Sequence, residues 1–134
     1  MNSISEDIKT LLVAAGYVFA TNLFISTVPA TVSNCVTLFD TSSTPPDGTF
    51  DGKVFFNESF QIIVKNVSYP AAHIVATNLI NLLNNKTNFT INGSHYLAIM
   101  LVNGANLLTT SGVESNKSDG TLLSINFRAI RKQI

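Results

Sequence analysis

The sequence predicts a single α+β domain over residues 1–134, in which two helices pack on one face of a largely antiparallel sheet of about four to six strands. The length of 134 residues fits one domain. Two segments carry apolar residues at helical spacing, and several others are rich in β-branched and aromatic residues. The order is helix, strand, strand, loop, strand, helix, hairpin, long loop, strand.

The first helix is predicted over residues 4–15. Ser3 and Glu6 have the spacing of a capping box, and Gly16 is a natural stop. Between them, one face of the helix is apolar and consists of Ile4, Ile8, Leu11, Leu12 and Ala15.

The next segments, residues 22–29, 34–41 and 57–66, are predicted to be strands. In the third, apolar residues alternate with polar ones, which indicates one face on the core and one wetter face. Glu58 occupies an apolar position of this alternation. We expect the strand to begin after Glu58, with a bulge or a charged partner as the alternatives.

The second half of the chain begins with a helix that Ser68, Tyr69 and Pro70 open and that Asn84 ends. Asn92-Gly93 predicts a hairpin within residues 88–103. A long polar loop is expected over residues 104–120, followed by a last strand over residues 121–132.

The segment DTSSTPPDGTFDG, residues 40–52, separates two predicted strands. Pro46-Asp47-Gly48 is typical of a turn, and the aspartates here match no calcium-loop spacing. Phe50 is an aromatic residue in a polar loop, so it either anchors a contact with another protein or folds back onto its own sheet.

The composition favours an oligomer. Charged residues make up 12% of the chain, against about 25% in a typical soluble domain, so part of the surface is expected to be buried against other subunits. Eight basic and eight acidic residues give a net charge of zero, which provides no support for nucleic-acid binding. Cys35 is the only cysteine and cannot form an internal disulfide.

Motifs of catalysis are absent from the sequence. The two histidines, His73 and His95, have no partner at metal-ligand spacing, and no phosphate-binding loop or nucleophile elbow is present. We therefore expect no enzyme activity, metal or cofactor. The longest apolar run, residues 11–20, is half the length needed to cross a bilayer, so no membrane segment is expected.

The order of features resembles the tail terminator proteins of long-tailed bacteriophages. SFQIIVKN-VSYPAAHIVATNLINLLNN resembles that family's strand, short turn and helix, with a basic residue at Lys65. The flanking segments agree, from NLFISTVPATVSNCVTLFDTSSTPPDG through the hairpin INGSHYLAI to SINFRAIR, where Asn126 precedes Phe127. Lys65 departs from the arginine expected there, which weakens the case for a bidentate contact.

This resemblance implies a structural virion protein without catalytic activity. Such proteins form a hexameric ring at the end of the tail tube, stop its polymerisation and join the tail to the head. The implied partners are further copies of the chain, the tail tube protein and a head connector or completion protein, with DNA passing through the lumen without sequence-specific binding. The implied location is the tail or neck of the virion, after assembly in the host cytoplasm.

Two alternatives stay open: a head-completion or tube-like virion protein, and a small-ligand-binding α+β module. Arg128, Arg131 and Lys132 either form a solvated terminus or contact an acidic neighbouring subunit or DNA. The loops and the resemblance together predict subunit-interface or lumen positions at Asp47, Phe50, Asp51, Lys53, Lys65, Glu114, Lys117, Arg128 and Arg131.

Overall fold

The computed structural model describes residues 2–43, 47–48, 54–109 and 120–133. Within them, the chain forms two helices and seven strands. The helices are α1 (Ile4–Ala14) and α2 (Tyr69–Leu83), and the strands are β1 (Leu23–Ile25), β2 (Cys35–Ser43), β3 (Asp47–Gly48), β4 (Val54–Asn66), β5 (Lys86–Ile91), β6 (Ser94–Thr109) and β7 (Thr121–Gln133).

The strands form one curled sheet in the order β1-β2-β4-β7-β6-β5, and the two-residue β3 pairs with β4. Among the seven strands, β1 and β2 are parallel and the other neighbouring pairs are antiparallel. The predicted α+β fold is confirmed, with β4 and β7 at the centre of the sheet.

The core lies between this sheet and both helices. Phe60, Ile62 and Val64 of β4 alternate onto the helical face, as the sequence predicts, and Phe60 stacks on Phe127 of β7 with ring centroids 5.2 Å apart. One apolar cluster joins them to residues from α1, α2, β2 and β6. Both helices therefore pack on the same face of the sheet.

Side-chain oxygens cap the first turns of both helices. The Ser3 hydroxyl accepts from the Glu6 amide, and Asp40 of β2 accepts from the Ser5 amide at 3.0 Å. In α2, the Ser68 hydroxyl accepts from the Ala71 amide. These bonds satisfy amides that have no partner inside the helix, and Asp40 also ties α1 to the sheet.

Several strands extend further than the sequence indicates. β4 begins at Val54, before Glu58, so the expected start after Glu58 is wrong. β6 continues to Thr109, which corrects the expected loop from residue 104. Asp47 and Gly48 pair with Phe55 and Val54 rather than forming a turn. Pairing with β7, far away in sequence, lengthens β4 and β6, whereas Asp47 and Gly48 pair with residues of β4 that are close in sequence.

Gly120 lies where the chain enters β7, and its backbone contacts the end of β4. Its φ is +76°, in the left-handed region that favours glycine. A Cβ atom placed on it would lie 2.2 Å from the carbonyl oxygen of Asn66. The sequence indicates only a flexible loop glycine here, whereas the structure gives it a steric role.

Replacing Gly120 with alanine is expected to lower the free energy of unfolding by about 2 kcal/mol or more, since backbone strain adds to the steric overlap. Thermal denaturation measures the effect. Gly104→Ala is the matched control, because nothing lies within 4 Å of its added Cβ. Equal melting temperatures for the two variants would contradict this role for Gly120.

Candidate assembly surface

A buried ionic cluster joins the first helix to the sheet. Arg131 of β7 donates to both carboxylate oxygens of Glu58 at 3.0 and 2.9 Å, and to Asp7 of α1 at 2.8 Å. The Asp7 side chain is fully buried, and that of Arg131 is 3% exposed. Glu58 can therefore occupy an apolar position of its strand, because it meets the charged side chain of Arg131 on the core side.

Tyr96 of β6 completes this cluster. Its hydroxyl donates to Asp7 at 2.5 Å, and its ring stacks on Phe89 with centroids 4.8 Å apart. Burial, followed by the hydrogen bond to Asp7, raises the pKa of Tyr96 well above its ordinary value of 10.0. Burial lowers the pKa of Arg131, but its contacts with Glu58, Tyr96 and Asp7 outweigh this and the net direction is upward.

The hairpin turn between β5 and β6 also contacts the first helix. The Asn92 side-chain amide donates to Asp7 and to Thr10, at 3.1 Å in both cases. Asn92 and Gly93 both have positive φ, as the predicted two-residue turn requires. Asp7 thus receives bonds from β6, β7 and the turn, which fixes α1 on the sheet.

Lys65 lies on the other face of the sheet, and its side chain is also engaged within the subunit. It is 5% exposed, and its ammonium group donates to the carbonyl oxygen of Pro29 at 2.8 Å. The Thr37 hydroxyl donates to the carbonyl of Thr27 in the same loop. The loop from Ser26 to Asn34 therefore covers the part of this face that lies around Thr37 of β2 and Lys65 of β4.

The centre of this second face carries an open polar area, which we call the open face. Gln61 of β4 and Asn126 of β7 lie side by side, and the Gln61 amide donates to Asn126 at 3.2 Å. Ser59 and the exposed Arg128 form the next pair along the two strands. Asn103 of β6 pairs with Asn126 and is exposed.

Charge is unevenly distributed along the chain. Between Lys65 and Glu114, Lys86 is the only Asp, Glu, Lys or Arg. This stretch supplies α2, β5 and β6, and much of its surface is apolar: Val67, Tyr69, Ile74, Leu82, Val102, Leu107 and Leu108 are each at least 40% exposed. Depletion of charge is typical of surfaces that other proteins cover.

The described residues contain no group of three or more His, Cys, Asp or Glu side chains placed to hold a metal ion. Cys35 is buried, and burial raises the pKa of its thiol despite the charge of Lys65 nearby. In the same part of the chain, no helix is both long and apolar enough to cross a membrane.

The predicted interface residues fall into four groups. Arg128 is exposed on the open face, whereas Lys65 and Arg131 are buried and hold elements of their own subunit together. Asp47 belongs to β3. Phe50, Asp51, Lys53, Glu114 and Lys117 lie outside the described residues.

The sequence reasoning missed the ionic cluster, although it contained a signal of it. Glu58 and Arg131 both occupy apolar positions of their strands, and Asp7 lies within the first turns of an amphipathic helix. Opposite charges at core positions of separate elements indicate a buried pair. The pairing itself depends on the order of strands in the sheet, which the sequence does not give.

The fold and the sequence both match virion proteins. A chain of a solved structure, "Virion of native gene transfer agent (GTA) particle", has the same fold with a TM-score of 0.64 at 13% identity, covering 97% of this chain and 95% of that one. The family model for "Bacteriophage tail terminator protein" matches residues 5–133, and the chain belongs to this family. The search of curated proteins gives no match.

The expected family is thereby confirmed. The protein is a structural component of the bacteriophage virion, located in the tail or neck, where it assembles with other virion proteins.

Arg131→Met is expected to lower the free energy of unfolding by about 3–5 kcal/mol, because Asp7 and Glu58 lose their cation and Asp7 stays buried. Arg128→Met, in the same strand but exposed, serves as the control and should change stability by less than about 0.5 kcal/mol. Chemical denaturation measures both, and equal losses would contradict the role of the cluster.

Tyr96→Phe is expected to be less stable than the wild type at pH 8 by about 1.5–3 kcal/mol, because Asp7 loses a donor. This difference should shrink above pH 10. In the folded wild type, the raised pKa keeps the Tyr96 hydroxyl protonated, whereas the same hydroxyl in the unfolded chain ionises near pH 10. The stability that the Tyr96 hydroxyl contributes is therefore lost as the pH rises above 10. A difference that stays constant from pH 8 to 11 would contradict the burial of this hydroxyl.

Proposed function

We propose that this protein forms a ring at the end of the phage tail tube, stops tube polymerisation and provides the surface that joins the tail to the head. The observation that carries the proposal is the tail terminator family match across residues 5–133. The same range includes every helix and strand described above except the first residue of α1, Ile4. We therefore treat residues 1–134 as one assembly domain that acts by contact rather than by catalysis.

The surface of the subunit supports this role. The two sides of a ring subunit are covered by its neighbours, so few charged residues are needed there. Among Asp, Glu, Lys and Arg, α2, β5 and β6 together contain only Lys86. The outer face of α2 is exposed at Ile74, Thr77 and Asn78, all uncharged. Contacts between unlike sides of neighbouring copies must close into a ring after a fixed rotation. An open series of such contacts would continue as a filament.

The open face is proposed to line the channel through which DNA passes. It lies opposite the helices, and its amide groups, from Gln61, Asn103 and Asn126, give it a polar surface. Arg128 is the exposed cation there, and one cation from each subunit would attract the passing phosphates only weakly. Such a lining suits DNA that must move through without being held.

The proposed contacts include the tail tube protein, a head connector or completion protein and further copies of the chain as a hexamer. The lumen or interface roles of Asp47, Phe50, Asp51, Lys53, Glu114 and Lys117 stay predictions. For Lys65 and Arg131, a role in their own subunit takes precedence, because both side chains are buried in it.

Adding the protein to polymerising tail tube protein is expected to shorten the tubes and to leave a ring at one end of each. Negative-stain electron microscopy measures tube length, with tube protein alone as the control. The mass of the free protein, measured over a wide range of concentration, shows whether the ring needs the tube as a template. Unchanged tube lengths with bare ends would contradict the proposed function.

A further inference from the structure

The hairpin turn between β5 and β6 contains a chemically labile pair of residues. The chain has two Asn-Gly pairs, Asn92-Gly93 in this turn and Asn103-Gly104 within β6. In an Asn-Gly pair, asparagine loses its side-chain nitrogen as ammonia most readily, because glycine has no side chain to hinder attack by its own backbone nitrogen. All four residues are exposed, so water has access to both pairs.

The two asparagines differ in what their side chains hold. The Asn92 amide donates to the Asp7 carboxylate and to the Thr10 hydroxyl, at 3.1 Å in both cases. The Asp7 side chain is fully buried, so Asn92 is one of the donors that satisfy a buried charge. Asn103 is exposed on β6 and makes no such contact within the part of the chain that the structure describes. A chemical change at Asn92 therefore affects the core, whereas the same change at Asn103 does not.

We propose that Asn92 is a deamidation site, and that its conversion to aspartate or isoaspartate weakens the attachment of α1 to the sheet. The Gly93 nitrogen attacks Cγ of Asn92 and loses its proton, the bond from Cγ to the side-chain nitrogen breaks, and ammonia leaves. The product of this step is a cyclic imide. Water then opens the imide at one of its two carbonyl carbons, which leaves either aspartate or isoaspartate, and water is the only co-reactant.

The turn leaves the attacking nitrogen available. Asn92 and Gly93 lie between the paired residues Ile91 and Ser94, and the Gly93 amide donates no backbone hydrogen bond to any residue that the structure describes. A Cβ atom placed on Gly93 would have nothing within 4 Å. Ammonia can therefore leave and water can enter on this side of the turn.

The hydrogen bonds of the Asn92 side chain oppose the reaction. Asn92 and Gly93 have φ values of +50° and +80°, and the Asn92 amide is directed at α1. Attack requires this side chain to leave Asp7 and Thr10 and to turn towards its own backbone. The reaction rate therefore depends on how often these contacts open, and a variant with weaker contacts should react faster.

Both products lose the contact that the asparagine makes. A turn with Asp-Gly is as acceptable as one with Asn-Gly, so aspartate itself does not disturb the backbone. Its carboxylate has no N–H to donate, however, and it places a second negative charge beside Asp7, which keeps only Arg131 and Tyr96 as donors. Isoaspartate lengthens the backbone of the turn, which changes the loop length that sets the register of β5 and β6.

The first test measures the reaction in the free protein. Wild type and Thr10→Val are kept in warm, mildly alkaline buffer, and peptide mapping by mass spectrometry follows conversion at Asn92 and at Asn103. Thr10→Val removes one of the two bonds to Asn92, so conversion at Asn92 should be about threefold faster or more. Conversion at Asn103 is the internal control and should keep its rate. Equal rates at Asn92 in the two proteins, or no conversion at Asn92 in either, would overturn the proposal.

The second test measures the consequence of conversion. Asn92→Asp should lower the melting temperature by about 5 °C or more and speed hydrogen exchange in α1, whereas Asn103→Asp should leave both unchanged. Wild-type protein that has been converted at Asn92 during storage should show the same changes. Equal melting temperatures for the two variants would overturn the proposal, and none of these outcomes depends on the proposed ring.

Discussion

The position of the first helix depends on one buried carboxylate. Asp7 contacts Arg131 of the last strand, Tyr96 of β6 and Asn92 of the hairpin turn, and Arg131 also holds Glu58 of β4. Elements more than 120 residues apart in sequence are thereby fixed to each other. A buried charge is tolerated only when such partners surround it, so any shift of the helix away from them would leave the Asp7 carboxylate without its donors.

Because the helices are fixed on one face of the sheet, the other surfaces of the subunit are available for contacts. Both helices cover the same face of the sheet, so the open face is presented on a rigid framework. The charge-depleted surface of α2, β5 and β6 includes the end of the sheet that β6 and β5 form. Under the proposed function such surfaces serve contacts with other proteins, and membership of the tail terminator family agrees with this arrangement.

Much of the fold could be predicted from local pattern. Both helices begin at their predicted serine caps, Asn92-Gly93 forms the turn, and the apolar alternation of β4 and β7 gives the buried face. The strand ends could not be predicted, because β6 and β4 are lengthened by pairing with β7, far away in sequence. Arg131 shows the same limit: its sequence neighbours indicate a solvated terminus, whereas the sheet order buries it against Asp7.

An electron cryomicroscopy map of the protein on the ends of tail tubes tests the central claim most directly. The account predicts a closed ring at one end of the tube, with the helices outside and the open face towards the channel. Density along the tube wall, or a ring that turns its helices towards the channel, would contradict it.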